Sequence, residues 1–302
     1  MSSDVRKAWL TLAVVVVSLG TMDYHMLTRP HMRGNFGGLT LVPTAQAGET
    51  ADTRTESLRV CADPNNLPFS NHRGEGFENE LALLVARELH RKLEYTWWPQ
   101  RRGFIRQTIK SGKCDLVMGV PAHFELVEPT APYYRSSYVF VTRADRKLDL
   151  KGFDDPQLRR LTIGLHAIGD DYANVPPAQA LATRGITGHI RGYTIYGDYS
   201  RPDPPRELID AVARGDVDVA IAWGPLAGYF AAREPVALTL TPVIDHDTRD
   251  PAMQFEISAG VRHGDHALKS AVERVLATRR GEIDQVLRAF HVPLVPGQKE
   301  PT

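Results

Sequence analysis

The sequence has no excess of basic or acidic side chains, and its apolar run near the N-terminus is short for a membrane span. Its 302 residues include 36 basic and 36 acidic side chains, so the formal net charge is zero. A chain without a basic surplus is not held to nucleic acid by bulk electrostatics, which sets that class of function aside. The apolar run at residues 8–19 is short for a membrane helix and has the length of a signal-peptide core.

The first residues therefore predict export. Arg6 and Lys7 precede the apolar run, as in a secretory signal peptide. Ala45 and Ala47 form an acceptable cleavage site, but they lie farther along the chain than a simple signal peptide requires. Cleavage at Ala47, cleavage elsewhere, a mis-assigned start and retention as an anchor stay open. We expect a signal peptide over residues 1–47 and a disordered approach over 48–56.

Cysteine is scarce, because only Cys61 and Cys114 are present. In an exported chain, two cysteines suggest one disulfide. If their strands lie parallel and adjacent, however, Cys61 is late in its strand and Cys114 is at the start of its own. That offset argues against a bridge, because bridged Cα atoms lie within roughly 7 Å of each other. One disulfide and two small buried thiols are both compatible with the sequence.

What the sequence does contain is one segment that occurs twice. It reads IKSGKCDLVMGVP at residues 109–121 and, in a weaker copy, VARGDVDVAIAWGP at 212–225. In both copies a glycine suited to end a helix precedes an aspartate and a buried, apolar strand. The lead-ins LRVC at 58–61 and LTIG at 161–164 end the same number of positions before the two aspartates. The repeat predicts two α/β lobes that are built alike.

We expect each lobe to be a mostly parallel sheet flanked by helices, with a cleft between the lobes. The first lobe is predicted to comprise residues 57–142 and 246–295, because a strand at 138–142 carries the chain out and one near 254–262 returns it. The second lobe is predicted at 143–245, and residues 296–302 form a tail.

Candidate contacts for a ligand or partner follow the strands, because ligands of open α/β sheets bind at the carboxyl ends of strands. From the first lobe these candidates are Asn65, Asn66, Phe69, Trp97, Trp98, Arg101, Arg102 and Gly119. Structural alternatives exist for most of them. The asparagines suit an Asx-turn, the tryptophans suit a core, and the arginines suit a solvated turn.

Further candidates lie near the predicted hinge and in the second lobe. They are Tyr133, Tyr134, Arg135, His166 and Trp223. Residues 188–205 are predicted to form a long loop, and its part at 193–203 is a candidate binding surface.

A metal site is not predicted. His123, Glu125 and Glu128 are close in sequence, but their spacing does not place all three on one side of a helix or strand. We therefore expect neither a metal nor a cofactor.

Five blocks resemble a known family. They are LRVCADPNNLPFSN at 58–71, GFENELA at 76–82, YTWWPQRRGF at 95–104, CDLVMGVP at 114–121 and PYYRSSYVF at 132–140. Together they are similar to the quinoprotein (methanol) dehydrogenase-associated binding proteins of the MxaJ and XoxJ type. These belong to the type II periplasmic binding proteins, in solute-binding protein family 3. The likeness covers about residues 57–293.

The resemblance implies a periplasmic accessory protein that does not itself catalyse a reaction. Its implied partners are the large subunit of a PQQ-dependent methanol dehydrogenase, the c-type cytochrome of that system, or both. Help with maturation of the dehydrogenase is a further implied role. A monomer without a membrane span in its mature form is expected.

One departure separates this sequence from the amino acid carriers of the same superfamily. Those proteins have a Thr-x-x-Arg motif whose arginine clamps the ligand carboxylate. The matching segment here, AHFELVEPT at 122–130, has no arginine, and HAIGDD at 166–171 places aspartates where a helix start would receive an anion. A second hypothesis is thus a transporter-coupled binding protein for a small polar ligand other than a standard amino acid. A dehydratase-like enzyme is a remote third, because no nucleophile and base occur in a short arrangement.

Overall fold

The structure is a computed structural model that describes residues 56–101, 103–167, 175–194, 199–243 and 251–296. The expectations for the signal peptide, its cleavage site and Arg102 lie outside these ranges. Within them, no helix has both the length and the apolar character needed to cross a bilayer.

The strands of the described ranges form one large mixed sheet and a small hairpin. In chain order they are β1 (Ser57–Ala62), β2 (Asn65–Asn66), β3 (Ser70–Asn71), β4 (Lys92–Trp97), β5 (Leu116–Pro121), β6 (Glu128–Pro129), β7 (Tyr134–Arg143), β8 (Ile163–Ala167), β9 (Ile190–Thr194), β10 (Val219–Trp223), β11 (Leu238–Pro242) and β12 (Gln254–Val261). The sheet has the order β4-β1-β5-β12-β7-β10-β8-β9, with β6 beside β12 and β11 beside β7, whereas β2 and β3 pair with each other.

Helices pack against this sheet through apolar stripes. They are α1 (Phe77–Glu88), α2 (Phe104–Gln107), α3 (Pro176–Thr183), α4 (Glu207–Arg214), α5 (Gly224–Ala231), α6 (His266–Thr278) and α7 (Arg280–Ala289). In α1, Phe77, Leu81, Leu84 and Val85 recur at helical spacing, and all four are buried. The combination of sheet and helices confirms the predicted α/β class.

The two halves of the sheet repeat one arrangement. In the first half, β4, β1 and β5 run parallel and β12 runs antiparallel to β5. In the second half, β9, β8 and β10 run parallel and β7 runs antiparallel to β10. Strand β7 connects the halves, since residues 134–137 pair with β12 and residues 138–143 pair with β10 and β11.

The two aspartates of the sequence repeat make the same bonds. The backbone N–H of Asp115 donates to the carbonyl of Arg59 at 2.7 Å, and its carboxylate accepts the backbone N–H of Arg59 at 3.3 Å. Asp218 makes the same two bonds with Thr162, at 2.9 and 2.8 Å. Each aspartate thus fastens the start of a central strand to its parallel neighbour, which explains why the repeat is visible in the sequence.

The predicted loop over residues 188–205 is wrong in its first part. Ile190–Thr194 forms β9, which lies parallel to β8. It is an edge strand in which Arg191, Gly192 and Thr194 are exposed. Such a strand lacks the apolar run or the clean alternation by which buried strands are recognised.

Cys61 and Cys114 form a disulfide, with their Cα atoms 5.6 Å apart. The distance objection raised from the sequence was wrong, because Cys114 lies before β5 rather than within it. Strand pairing between β1 and β5 involves Val60 and Cys61 with Leu116 and Val117, and the chain bends just before that point. The bridge is buried in a cluster of apolar side chains: Phe104, Ile105, Ile109, Val117, Val120 and Val127.

Candidate functional site

A cavity of about 230 Å³ opens between the two halves of the sheet, and we call it the cleft cavity. Its lining comes from both halves: Asn66, Phe69, Glu78, Gln100, Gly119, Tyr134, Tyr138, His166, Val175, Ile221, Trp223, Leu226 and Ile257. Gly119, His166 and Trp223 lie at or near the carboxyl ends of β5, β8 and β10. This is the position at which open α/β sheets bind their ligands.

Six of the residues singled out in the sequence line the cleft cavity. They are Asn66, Phe69, Gly119, Tyr134, His166 and Trp223. Asn65 lies just outside, where its Nδ2 donates to the carbonyl of Arg201 at 2.8 Å. That bond connects the loop after β1 to the loop before α4, so Asn65 joins the two sides of the cleft.

Trp97 at the end of β4 and the residues after it lie elsewhere. Trp97 stacks on Tyr95 with ring centroids 4.5 Å apart. Trp98 packs beside the disulfide cluster, with the Lys113 ammonium 4.9 Å from its ring centre. Arg101 is exposed at the surface. None of these three lines the cleft cavity, because β4 is the outer strand of the first half.

Two candidates near the predicted hinge also lie outside the lining. Tyr133 is fully buried and donates its hydroxyl to the carbonyl of Met118 at 2.9 Å. Arg135 lies in β7 opposite Glu256, and its Nε is buried without a hydrogen-bond partner. Adjacent residues of a strand point to opposite faces, so of the run 133–135 only Tyr134 reaches the cavity.

Glu78 is the functional candidate that the sequence argument missed. It is not among the candidates drawn from the sequence, yet it lies in the first turn of α1 and its side chain lines the cleft cavity. Glycine at position 119 makes room for it, because a Cβ there would collide with the Glu78 carboxylate. A usable signal existed, since the helix that follows β1 begins at the same sheet edge as the other candidates.

The Glu78 carboxylate has no hydrogen-bond donor or cation beside it in the described ranges. Burial, with a smaller contribution from the charge of Asp63, raises the pKa of Glu78 to about 8. Asp63 itself accepts backbone N–H groups of Gln100 and Asn65 at 2.6 and 2.8 Å, and the Tyr199 hydroxyl at 3.1 Å. Burial nevertheless raises the pKa of Asp63 above its ordinary value.

Because the pKa of Glu78 is raised in the folded state, we expect the contribution of Glu78 to stability to fall as the pH rises. The folded state holds the proton up to about pH 8, whereas the unfolded chain releases it near pH 4.5, so the folded state binds more protons between these values. Replacing Glu78 with glutamine removes this linkage. We expect the free energy of unfolding of Glu78→Gln to rise relative to the natural protein between pH 5 and pH 8.5 in urea titrations. A constant difference across that range would contradict the assignment.

Aromatic rings form much of the cavity wall. Trp223 makes edge contacts with Tyr138 and Phe255 at 5.5 and 5.8 Å between ring centroids. On the other side, Phe69 packs against Phe77 at 5.4 Å. These rings come from β10, β7, β12, α1 and the turn between β2 and β3, so the wall depends on both halves of the sheet.

His166 is the one imidazole among the described residues of the lining. It is buried, and its Nε2 lies 3.3 Å from the carbonyl of Pro205. Burial lowers the pKa of His166 to about 4, and the hydrogen bond to Pro205 opposes this only in part. The ring is therefore neutral at physiological pH.

We expect His166 to make the protein less stable as the pH falls from about 6.5 to about 4. The unfolded chain takes up the proton near pH 6.5, whereas the folded state resists it until about pH 4. Stability conferred by this site is thus present above pH 6.5 and lost on acidification. His166→Gln retains a donor for Pro205, and its unfolding free energy should fall less steeply over this range. If the unfolding free energies of the two proteins fall equally steeply as the pH is lowered from about 6.5 to about 4, the prediction is wrong.

No described residue of the lining is a lysine or an arginine. The described ranges also contain no group of three or more His, Cys, Asp and Glu placed to hold a metal ion. The described part of the lining therefore offers carboxylate, amide and aromatic groups to a bound molecule, and neither a lysine nor an arginine to pair with an anion.

The family description "Bacterial extracellular solute-binding proteins, family 3" matches residues 58–291. The chain belongs to this family. Protein MoxJ of Methylorubrum extorquens is 31% identical to this solute-binding protein over 261 residues, which cover 84% of this chain and 86% of MoxJ.

Solved structures agree with this assignment. Periplasmic binding protein XoxJ from Methylobacterium extorquens AM1 is 37% identical with a TM-score of 0.66, over 80% of this chain and all of XoxJ. MxaJ from Methlophaga aminisulfidivorans MPT is 27% identical with a TM-score of 0.67, over 79% of this chain and all of MxaJ. The MxaJ and XoxJ resemblance and the periplasmic-binding-protein fold expected from the sequence are thereby confirmed.

Proposed function

We propose that this solute-binding protein is a periplasmic, non-catalytic accessory protein of a PQQ-dependent methanol dehydrogenase system. It binds the large subunit of the dehydrogenase, the c-type cytochrome or both, or it aids maturation of the dehydrogenase. The similarity to MoxJ, XoxJ and MxaJ supports the assignment to a methanol dehydrogenase system. The two lobes that flank the cleft are residues 57–142 with 246–295, and residues 143–245.

The observation that carries the proposal is the chemistry of the cleft cavity. A carrier of standard amino acids needs a fixed cation for the ligand carboxylate, usually a bidentate arginine. The segment at 122–130 lacks that arginine, and the described lining contains neither lysine nor arginine. In its place the cavity presents Glu78, which gives a ligand carboxylate no positive charge to pair with, whether or not it is protonated.

The same lining supports a role without catalysis. The one imidazole, His166, is directed to the Pro205 carbonyl, and no serine or cysteine nucleophile lies beside it in the described lining. Glu78 has a pKa suited to proton transfer, but no second polar group is hydrogen-bonded to it. A nucleophile held by a base, the usual mark of a hydrolytic or transfer site, is thus missing from the described lining.

Affinity capture from periplasm tests the proposal. A tagged copy of this protein should retain the dehydrogenase or its cytochrome after washing, identified by mass spectrometry against those two chains. Glu78→Gln should retain them equally well if the docking surface lies outside the cleft cavity. Recovery of neither chain, together with normal dehydrogenase activity in cells lacking this protein, would overturn it.

A transporter-coupled role is the second candidate, because the cleft cavity is large enough for a small molecule. A dependence of solute uptake on this protein, with no association with the dehydrogenase system, would favour it. In either case we place the protein in the periplasm, and N-terminal sequencing of the exported chain would locate its cleavage site.

A further inference from the structure

Two hydrogen-bond acceptors of the cleft cavity lack partners. One is the Glu78 carboxylate, which has no donor or cation within the described ranges. The other is Oδ1 of Asn66, whose residue is only 7% exposed and whose Oδ1 is buried without a hydrogen bond. The Nδ2 of Asn66 donates to Oε1 of Gln100 at 3.2 Å, so its donor side is engaged while its acceptor is free. A buried acceptor without a partner is costly, so a ligand that donates to Oδ1 of Asn66 relieves that cost, and it can donate to the half-buried Glu78 carboxylate as well.

The walls of the cavity select the charge of such a ligand. Phe69, Tyr134, Tyr138 and Trp223 present aromatic rings to the same space. Aromatic faces attract organic cations and offer nothing comparable to anions. Asp63, close enough for its charge to raise the pKa of Glu78, is a further acidic group near the cavity.

We propose that the cleft cavity binds a small protonated amine that lacks a carboxylate. The ammonium N–H groups donate to the Glu78 carboxylate and to Oδ1 of Asn66, and the carbon chain packs against Phe69 and Trp223. The cavity of about 230 Å³ has room for about seven water-sized groups, at about 30 Å³ each, which sets the size of the ligand. This inference concerns the occupant of the cavity and holds for either partner proposed above.

Binding of the amine is coupled to release of a proton. Among the described residues, the titratable groups around Glu78 are Asp63, Tyr95, Tyr133 and Tyr134 in its own half of the sheet, and Tyr138 and His166 in the rest of the lining. None of them is a cation at neutral pH, so Glu78 holds a proton while the cavity is empty. An ammonium ion favours the carboxylate, and its affinity should rise with pH up to about pH 8, by at most about tenfold per unit.

Isothermal titration calorimetry with butylamine tests the proposal. Three related molecules each change one property. Butan-1-ol removes the charge, 4-aminobutyrate adds a carboxylate, and butyltrimethylammonium keeps the charge but has no N–H donor. At pH 8 we expect butylamine to bind and each analogue to bind at least about tenfold more weakly, since a charged hydrogen bond contributes about 1.5–3 kcal/mol. Heats measured in two buffers of different ionisation enthalpy should show a proton released below pH 8.

Two substitutions in α1 test whether the Glu78 carboxylate is the group that binds butylamine. Glu78→Gln should weaken butylamine binding at least about tenfold and abolish the proton release. Glu80→Gln, a change of the same kind at an exposed position two residues away, should leave both unchanged. Equal binding of butylamine and butan-1-ol, tighter binding of 4-aminobutyrate, an unaffected Glu78→Gln variant, or no butylamine binding at millimolar concentration would each overturn the inference. Capture of the dehydrogenase or cytochrome is a separate readout, so failure here is distinguishable from failure of the proposed function.

Discussion

Replacement of both Cys61 and Cys114 by alanine is expected to lower the free energy of unfolding by about 4 kcal/mol. The bridge closes a long loop, with a sequence separation of 53, and longer loops lose more entropy when they are closed in the unfolded chain. Urea titration of the double variant beside the natural protein measures the difference. Both side chains are buried, so the variant also loses a small amount of packing.

The natural protein in a reducing agent serves as the control, because it keeps both sulfur atoms and loses only the covalent bond. It should show most of the same loss. If neither the variant nor the reduced protein differs from the oxidised one by more than about 1 kcal/mol, the entropic account of this bridge is wrong. The effect matters for the cleft because the bridge joins the end of β1 to the segment before β5. Asn66 and Phe69 follow β1, and Gly119 lies in β5.

Alanine at position 228 is expected to destabilise the protein by about 3 kcal/mol. Gly228 lies in α5, and a Cβ there would collide with the backbone carbonyl of His291. A backbone carbonyl cannot move aside as a side chain can, so α5 or the C-terminal segment must shift. That segment is held to β7, where the Ser136 hydroxyl donates to the carbonyl of Pro293 at 2.6 Å.

Gly281 in α7 provides the matched control, because nothing lies within 4 Å of the position a Cβ would occupy. Gly281→Ala should be neutral or stabilising by up to about 1 kcal/mol, since alanine favours a helix. Thermal and urea unfolding of the two variants should therefore change in different directions. Equal behaviour would show that the close approach of α5 to the C-terminal segment is not required.

The repeated segment made much of the fold predictable. Gly112 and Gly215 have φ of +74° and +80°, a conformation that glycine adopts without strain, and Asp115 and Asp218 make matching bonds. A glycine with positive φ and an aspartate that caps a strand are local requirements, so both can be recognised in a single sequence. The edge strand β9 left no comparable mark, because most of its side chains face solvent and need not be apolar.

The location of the cleft could be predicted from the sequence, but only some of the side chains that line it could. Strand ends located Gly119, His166 and Trp223, but Glu78 resembled an ordinary charge at the start of a helix. Its role depends on contacts across the fold, above all on the space left by glycine at position 119. The disulfide was hidden for a similar reason, since the bend before β5 is a tertiary feature that residue counting along strands does not contain.

Sedimentation velocity of the purified protein with the purified dehydrogenase, and with its c-type cytochrome, shows whether the protein binds either of them. We expect this protein to cosediment with at least one of them as a discrete complex. Saturating amounts of standard amino acids should neither bind the protein nor change that complex. Independent sedimentation of all three proteins, together with tight binding of an amino acid in the cleft cavity, would show that the protein is an amino acid carrier and not an accessory of the dehydrogenase.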